Sequence, residues 1–174
     1  SMVRAAGGGA PPGPKRLVLA ADEEALPFKE GAFDLALSNL TLHWVNDLPG
    51  ALVQIRRALK PDGLFLAALL GGDTLKELRQ ALAEAEIAEE DGLSPRVSPM
   101  ADVRDLGALL QRAGFALPVA DSDVITVSYA DPLKLMADLR GMGESNAAEL
   151  RRRNFTRRKT LWAAAERYRA LFAG

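Results

Sequence analysis

The chain has 174 residues, 48% of them hydrophobic and 26% charged, which suffices for one domain with a buried core. Its 22 basic and 23 acidic residues leave a formal net charge of -1, so no global field favours nucleic acid or an anionic membrane. With no cysteine and a single histidine, His43, a disulfide framework, a thiolate zinc site and a cysteine nucleophile are excluded, and no metal site is expected.

In chain order, residues 1–15 have no apolar core of the kind that marks a secretory leader, and Ser1 before Met2 resembles an expression scar. Gly7 to Pro14 cannot hold helix or sheet, because Gly carries an entropic cost there and Pro lacks the N–H. A disordered segment over 1–15 and a domain over 16–174 are the expected division. Leu17 to Ala20 is a short apolar run ending at Asp22-Glu23-Glu24, as in a buried parallel strand with polar residues at its carboxyl end. Phe33 to Ser38 is a second such run.

Leu48, Leu52, Ile55 and Leu59 fall on one helical stripe behind Asp47, a plausible N-cap, and Lys60-Pro61-Asp62-Gly63 stops that helix and turns the chain. Leu64 to Leu70 reads as a third buried strand, far shorter than the ~20 apolar residues that cross a bilayer. Strand, helix and strand in this order make a βαβ unit. Helices follow over Leu75 to Ala88 and Ala101 to Ala113, the latter capped by Gly114. Val124 to Tyr129 alternates and is β-branched, a strand pattern. Leu133 to Met142 and Leu161 to Phe172 close the chain as helices, with a basic cluster over Arg151 to Lys159 that is read as a solvated face or a grip for an acidic partner.

A carboxylate at the end of an α/β strand, such as Asp22, lies where ligands bind in open sheets, and the same residue also suits a solvated turn or cap. An imidazole can take up a proton as a general base, which makes His43 a candidate for that role, although a lone His beside Trp44 also suits interior packing. Apolar stripes on the C-terminal helices read as core.

Several blocks in order, Ala21 to Phe28, Phe33-Asp34-Leu35, Ser38 to Trp44 and Leu59 to Gly63, resemble the successive motifs that follow the cofactor loop of class I S-adenosylmethionine-dependent methyltransferases. Leu42 to Pro49, Gly71 to Leu75 and Gly141 to Asn146 are similar to the complex I assembly methyltransferase-like proteins, which are assigned arginine hydroxylation, more than to the malonyl-acyl-carrier-protein methyltransferases of biotin synthesis. The likeness runs from about Val18 to Phe172.

That resemblance implies S-adenosylmethionine as cofactor, Asp22 as acceptor of the adenine amine, Glu23 beside it, and Ser38, Asn39 and Leu40 along the methionine end. His43 and Trp44 would then face the substrate. It further implies a complex I subunit as partner, and a bacterial cytoplasm or a mitochondrial matrix as location. The family pattern opens with a strand, a Gly-rich turn, a helix and a strand ending in a ribose-binding acid, none of which is found before Val18. The expected fold is therefore α/β, a partial Rossmann-like sheet with a helical C-terminal elaboration, cut at both ends and with the first motif region missing. An enzyme, a non-catalytic assembly module and an inactive fragment are the readings that remain.

Overall fold

The computed structural model describes residues 17–90, 92, 94, 100–144 and 156–172. The 1–15 segment and Arg151 to Arg153 lie outside the described residues. Strand β1 spans Phe33–Asn39, helix α1 Leu48–Ala58 and strand β2 Leu59–Ala68. The strands pair in parallel, Leu35 opposite Leu64 and Asn39 opposite Ala68, so the expected βαβ unit is present.

Local chemistry explains α1. Asp47 caps it by accepting from the Gly50 N–H at 2.9 Å, Pro49 occupies the first turn, and Arg56 and Arg57 face the negative end of the helix dipole. Gly50 is required by that cap, since a Cβ there would stand 2.1 Å from Asp47 Oδ2. The helix buries Ala51, Leu52 and Ala58, and each fully buried leucine contributes about 1.5–3 kcal/mol. Lys60 to Gly63 does turn the chain, but inside β2: Asp62 takes a left-handed φ of 62° and the pairing register slips between Phe33 and Leu35.

The remaining helices are α2 at Lys76–Glu90, α3 at Val103–Arg112, α4 at Pro132–Met142 and α5 at Arg158–Phe172. Asp102 and Asp131 cap α3 and α4, and Gly143, at φ 85°, ends α4. Two packing centres result. One is the βαβ unit with α3 leaning on α1, tied by Arg56 Nε to the Gly114 carbonyl at 3.1 Å and by stacked rings of Phe65 and Phe115. The other gathers Leu78, Leu82 and Ala85 of α2, Leu135 of α4 and Ala164 of α5.

Two expected strands are absent. Residues Leu17 to Ala20 and Val124 to Tyr129 lie outside any helix or strand, with Leu17 88% and Ile125 84% exposed. Strand propensity needs a neighbouring strand to pair with, and neither segment has one among the described residues. Burial also falls short of expectation: Val18, Leu35, Leu37 and Leu66 are exposed, and Phe65 and Leu69 are half-buried. A parallel sheet normally carries helices on both faces, and among the described residues only α1 packs extensively on this one. The α/β class, the parallel pairing and the C-terminal helices hold.

Candidate functional site

The turn after residue 21 is built by its own acids. Asp22 Oδ1 accepts from the Glu24 N–H at 2.9 Å and the Asp22 carbonyl from the Ala25 N–H at 3.1 Å, closing a tight turn. Asp22 itself is exposed. Glu24 then reaches across to accept from the N–H groups of Asn46 at 2.6 Å and Asp47 at 3.2 Å, at the start of α1. Gln54 completes the attachment, donating to the Glu24 carbonyl at 2.8 Å and accepting from the Leu26 N–H at 2.9 Å. Residues 22–26 are thus fixed to α1 through Glu24 and Gln54. Neither residue stood out in the sequence, because their role lies in contacts 22 to 30 positions away.

At the carboxyl end of β1, Ser38 Oγ and Thr41 Oγ1 share a hydrogen bond of 2.8 Å, and Leu40 bends the chain with φ 53°. A leucine in the left-handed region is strained by about 1–3 kcal/mol, the kind of cost that accumulates at sites where a chain must change direction sharply. Leu40 N–H still donates to the Ala68 carbonyl at 2.8 Å, so the bend stays attached to β2. A three-residue 3-10 turn, Leu42–Trp44, follows and carries His43 into the interior. The imidazole side chain is 1% exposed, with Nε2 3.3 Å from Glu144 Oε2. Its Nδ1 is buried with no hydrogen-bond partner among the described residues. The Trp44 ring lies 5.1 Å away, tilted by 38°.

A cavity of about 270 Å³ lies between β1, α1 and the 22–28 segment, lined by Phe28, Phe33, Leu37 and Phe65 with Glu23, Ser38 and Thr41 as its polar groups. The structure therefore brings Glu23 and Ser38 to one place. Asp22, Asn39, Leu40 and His43 do not line it. Small-molecule pockets commonly run ~300–1,000 Å³, so this aromatic cavity lies at the small end of that range. Glu144, the partner of the only histidine, was not singled out as a site residue. Its signal was the Gly141 to Asn146 stretch, but nothing in local periodicity links it to a residue 101 positions earlier. Among the described residues no group of acidic and histidine side chains has the arrangement of a metal site.

Residues 1–67 match the Methyltransferase domain family. Over 152 residues, 87% of this chain, the sequence is 55% identical to the mitochondrial arginine-hydroxylase NDUFAF5 of Homo sapiens, of which it covers 44%. It is 40% identical over 154 residues to the malonyl-[acyl-carrier protein] O-methyltransferase of Methylovorus, covering 88% of this chain and 50% of that protein. A solved SAM-dependent methyltransferase from Thermotoga maritima overlays on 57% of this chain and 46% of its own at 26% identity, with a TM-score of 0.45. That overlap is too partial to carry an argument.

Residues 1–67 carry the likeness to the methyltransferase-domain family, and the structure has a parallel α/β sheet with helices appended at its C-terminal side. The sequence is akin to the mitochondrial arginine-hydroxylase proteins, and it spans about half the length of the curated relatives it matches.

Proposed function

We propose that this chain acts, as part of a methyltransferase-like protein, on an arginine of a protein substrate during assembly of respiratory complex I, in the mitochondrial matrix when the source is eukaryotic. The observation that carries this reading is the 55% identity along 87% of the chain to an arginine hydroxylase, against 40% to a malonyl-carrier methyltransferase. S-adenosylmethionine is the cofactor proposed, and when bound it supplies an electrophilic methyl group. Asp22 would meet the adenine amine from the turn, with Glu23 beside it in the cavity, and Ser38, Asn39 and Leu40 would border the methionine end.

Support for Asp22 is positional, since its carboxylate already accepts one backbone N–H within the turn and retains further lone pairs. The uncovered sheet residues Leu35, Leu37 and Leu66 favour a second reading, an assembly module that binds its partner without chemistry. The deciding experiment uses a full-length relative with a complex I subunit peptide and S-adenosylmethionine, followed by mass spectrometry. A methyl group on arginine supports the first reading, and so does an added oxygen when dioxygen and a reductant are supplied with the peptide. Capture of the subunit with no modification supports the second, and methylation of malonyl-carrier protein alone would overturn both. Calorimetry on the same protein is expected to show weaker S-adenosylmethionine binding for Glu23→Ala and for Ser38→Ala.

A further inference from the structure

The chain's only histidine is enclosed, yet its Nδ1 meets no hydrogen-bond partner among the described residues. Buried polar nitrogens nearly always have partners, so an orphan inside a site asks for a chemical reason. The reason begins with Glu144. Helix α4 ends in a Schellman motif: Gly143, at φ 85°, donates to the Arg140 carbonyl at 3.1 Å, and the Glu144 N–H donates to the Leu139 carbonyl at 2.9 Å. The position Glu144 takes is one where an apolar residue usually folds back onto the helix. Here it carries a carboxylate, and that carboxylate meets His43 Nε2 at 3.3 Å.

An ionised carboxylate only accepts hydrogen bonds, so the imidazole proton belongs on Nε2 and the lone pair on Nδ1. We infer that Glu144 is a positioning residue for His43, fixing the Nε2–H tautomer so that Nδ1 is presented as the acceptor for an N–H donor of the guanidinium class. The tautomer assignment stands on geometry alone. The guanidinium rests on the arginine-modifying function proposed above.

For such a donor to reach the buried Nδ1, the segment bearing His43 has to move. Thr41 gives the Leu42–Trp44 turn no side-chain cap, and Leu40 before it is held at a strained φ of 53°. A shift of this short turn would uncover Nδ1, with the Glu144 contact to Nε2 holding the ring's orientation. A guanidinium offers five N–H donors in a plane and no acceptor, matching a bare lone pair.

With one histidine in the chain, long-range 1H–15N spectra report its tautomer without ambiguity. The Nε2–H form is expected to dominate in the unaltered 174-residue chain. The ratio of tautomers should fall by roughly tenfold in Glu144→Ala, as suits loss of a hydrogen bond to a charged group. Gly143→Ala, which changes neither partner but strains the left-handed cap, should lower it as well, and Glu144→Gln should retain the fold, as judged by the remaining amide resonances, with a mixed tautomer. A dominant Nδ1–H form in the unaltered chain, or an unchanged ratio in both Glu144 variants, overturns the positioning role. Titration with N-methylguanidinium should move the Nδ1 resonance of the unaltered chain and leave that of Glu144→Ala in place. An unmoved Nδ1 with the tautomer intact overturns the ligand assignment. Failure of the arginine reading itself appears separately, as an unmodified subunit peptide in the mass-spectrometric assay.

Discussion

Replacing Gln54 with alanine removes both bonds that fasten the 22–26 turn to α1 from the helix side, the 2.9 Å bond accepted from Leu26 N–H and the 2.8 Å bond donated to the Glu24 carbonyl. The first is partly buried and the second exposed, so their net contributions differ, with a sum of about 1–2 kcal/mol. The Glu24 carboxylate bonds to Asn46 and Asp47 survive the change, which keeps the loss local. A local opening made easier by that amount speeds hydrogen exchange of the Leu26 amide by roughly tenfold. Exchange measured residue by residue by NMR checks this, with amides of α2 and α5 as unaffected references. Gln54→Glu sharpens the test, because a carboxylate still accepts from Leu26 N–H but cannot donate to the Glu24 carbonyl, so an intermediate rate is expected. Unchanged protection of Leu26 in Gln54→Ala would show that Glu24 alone holds the turn, and would remove Gln54 from the structure of the site.

Two further substitutions test the packing. Leu37→Ser, on a strand residue 70% exposed, is expected to change stability by no more than about 0.5 kcal/mol in urea unfolding, whereas Leu52→Ala, on a residue 2% exposed, should cost about 2–5 kcal/mol. Equal costs would mean that the β1 face is covered in solution. Ala164→Leu places extra volume where the alanine is 0% exposed against α2 and should cost about 1–3 kcal/mol, read from Trp162 fluorescence on α5 and not from Trp44 in the other packing centre. A common shift of both tryptophan signals would show that the two centres unfold as one.

The helices were legible in the sequence to within a few residues, since their caps and stripes are local: Asp47 and Pro49 start α1, and Gly114 and Gly143 follow α3 and α4. β1 and β2 were legible too, as short apolar runs flanking a helix. Leu17 to Ala20 and Val124 to Tyr129 were misread because the same apolar or alternating pattern says nothing about whether a pairing strand is present. Lys60 to Gly63 was read correctly as following the end of the helix and turning the chain, but not as lying inside β2, which starts at Leu59 and continues through the turn by a bulge. In the candidate site, Glu23 and Ser38 could be found from motif order, and both line the cavity. Glu24, Gln54 and Glu144 act through partners distant in sequence, and that kind of contact leaves no periodic trace.

The stretch ahead of α4 has a consequence for how the chain behaves at high concentration. Leu117, Val119, Val124, Ile125 and Val127 are between 65% and 93% exposed, and their backbone lies outside any strand ladder. Such a segment is a template for β pairing between molecules, the first step toward amyloid-like stacking. Asp121 and Asp123 interrupt it, each accepting from the next residue's N–H and both exposed, which puts charge in the middle of the run. Their role is colloidal: like charges brought into register between two copies repel, which acts as a gatekeeper against self-assembly while adding nothing to the folded core.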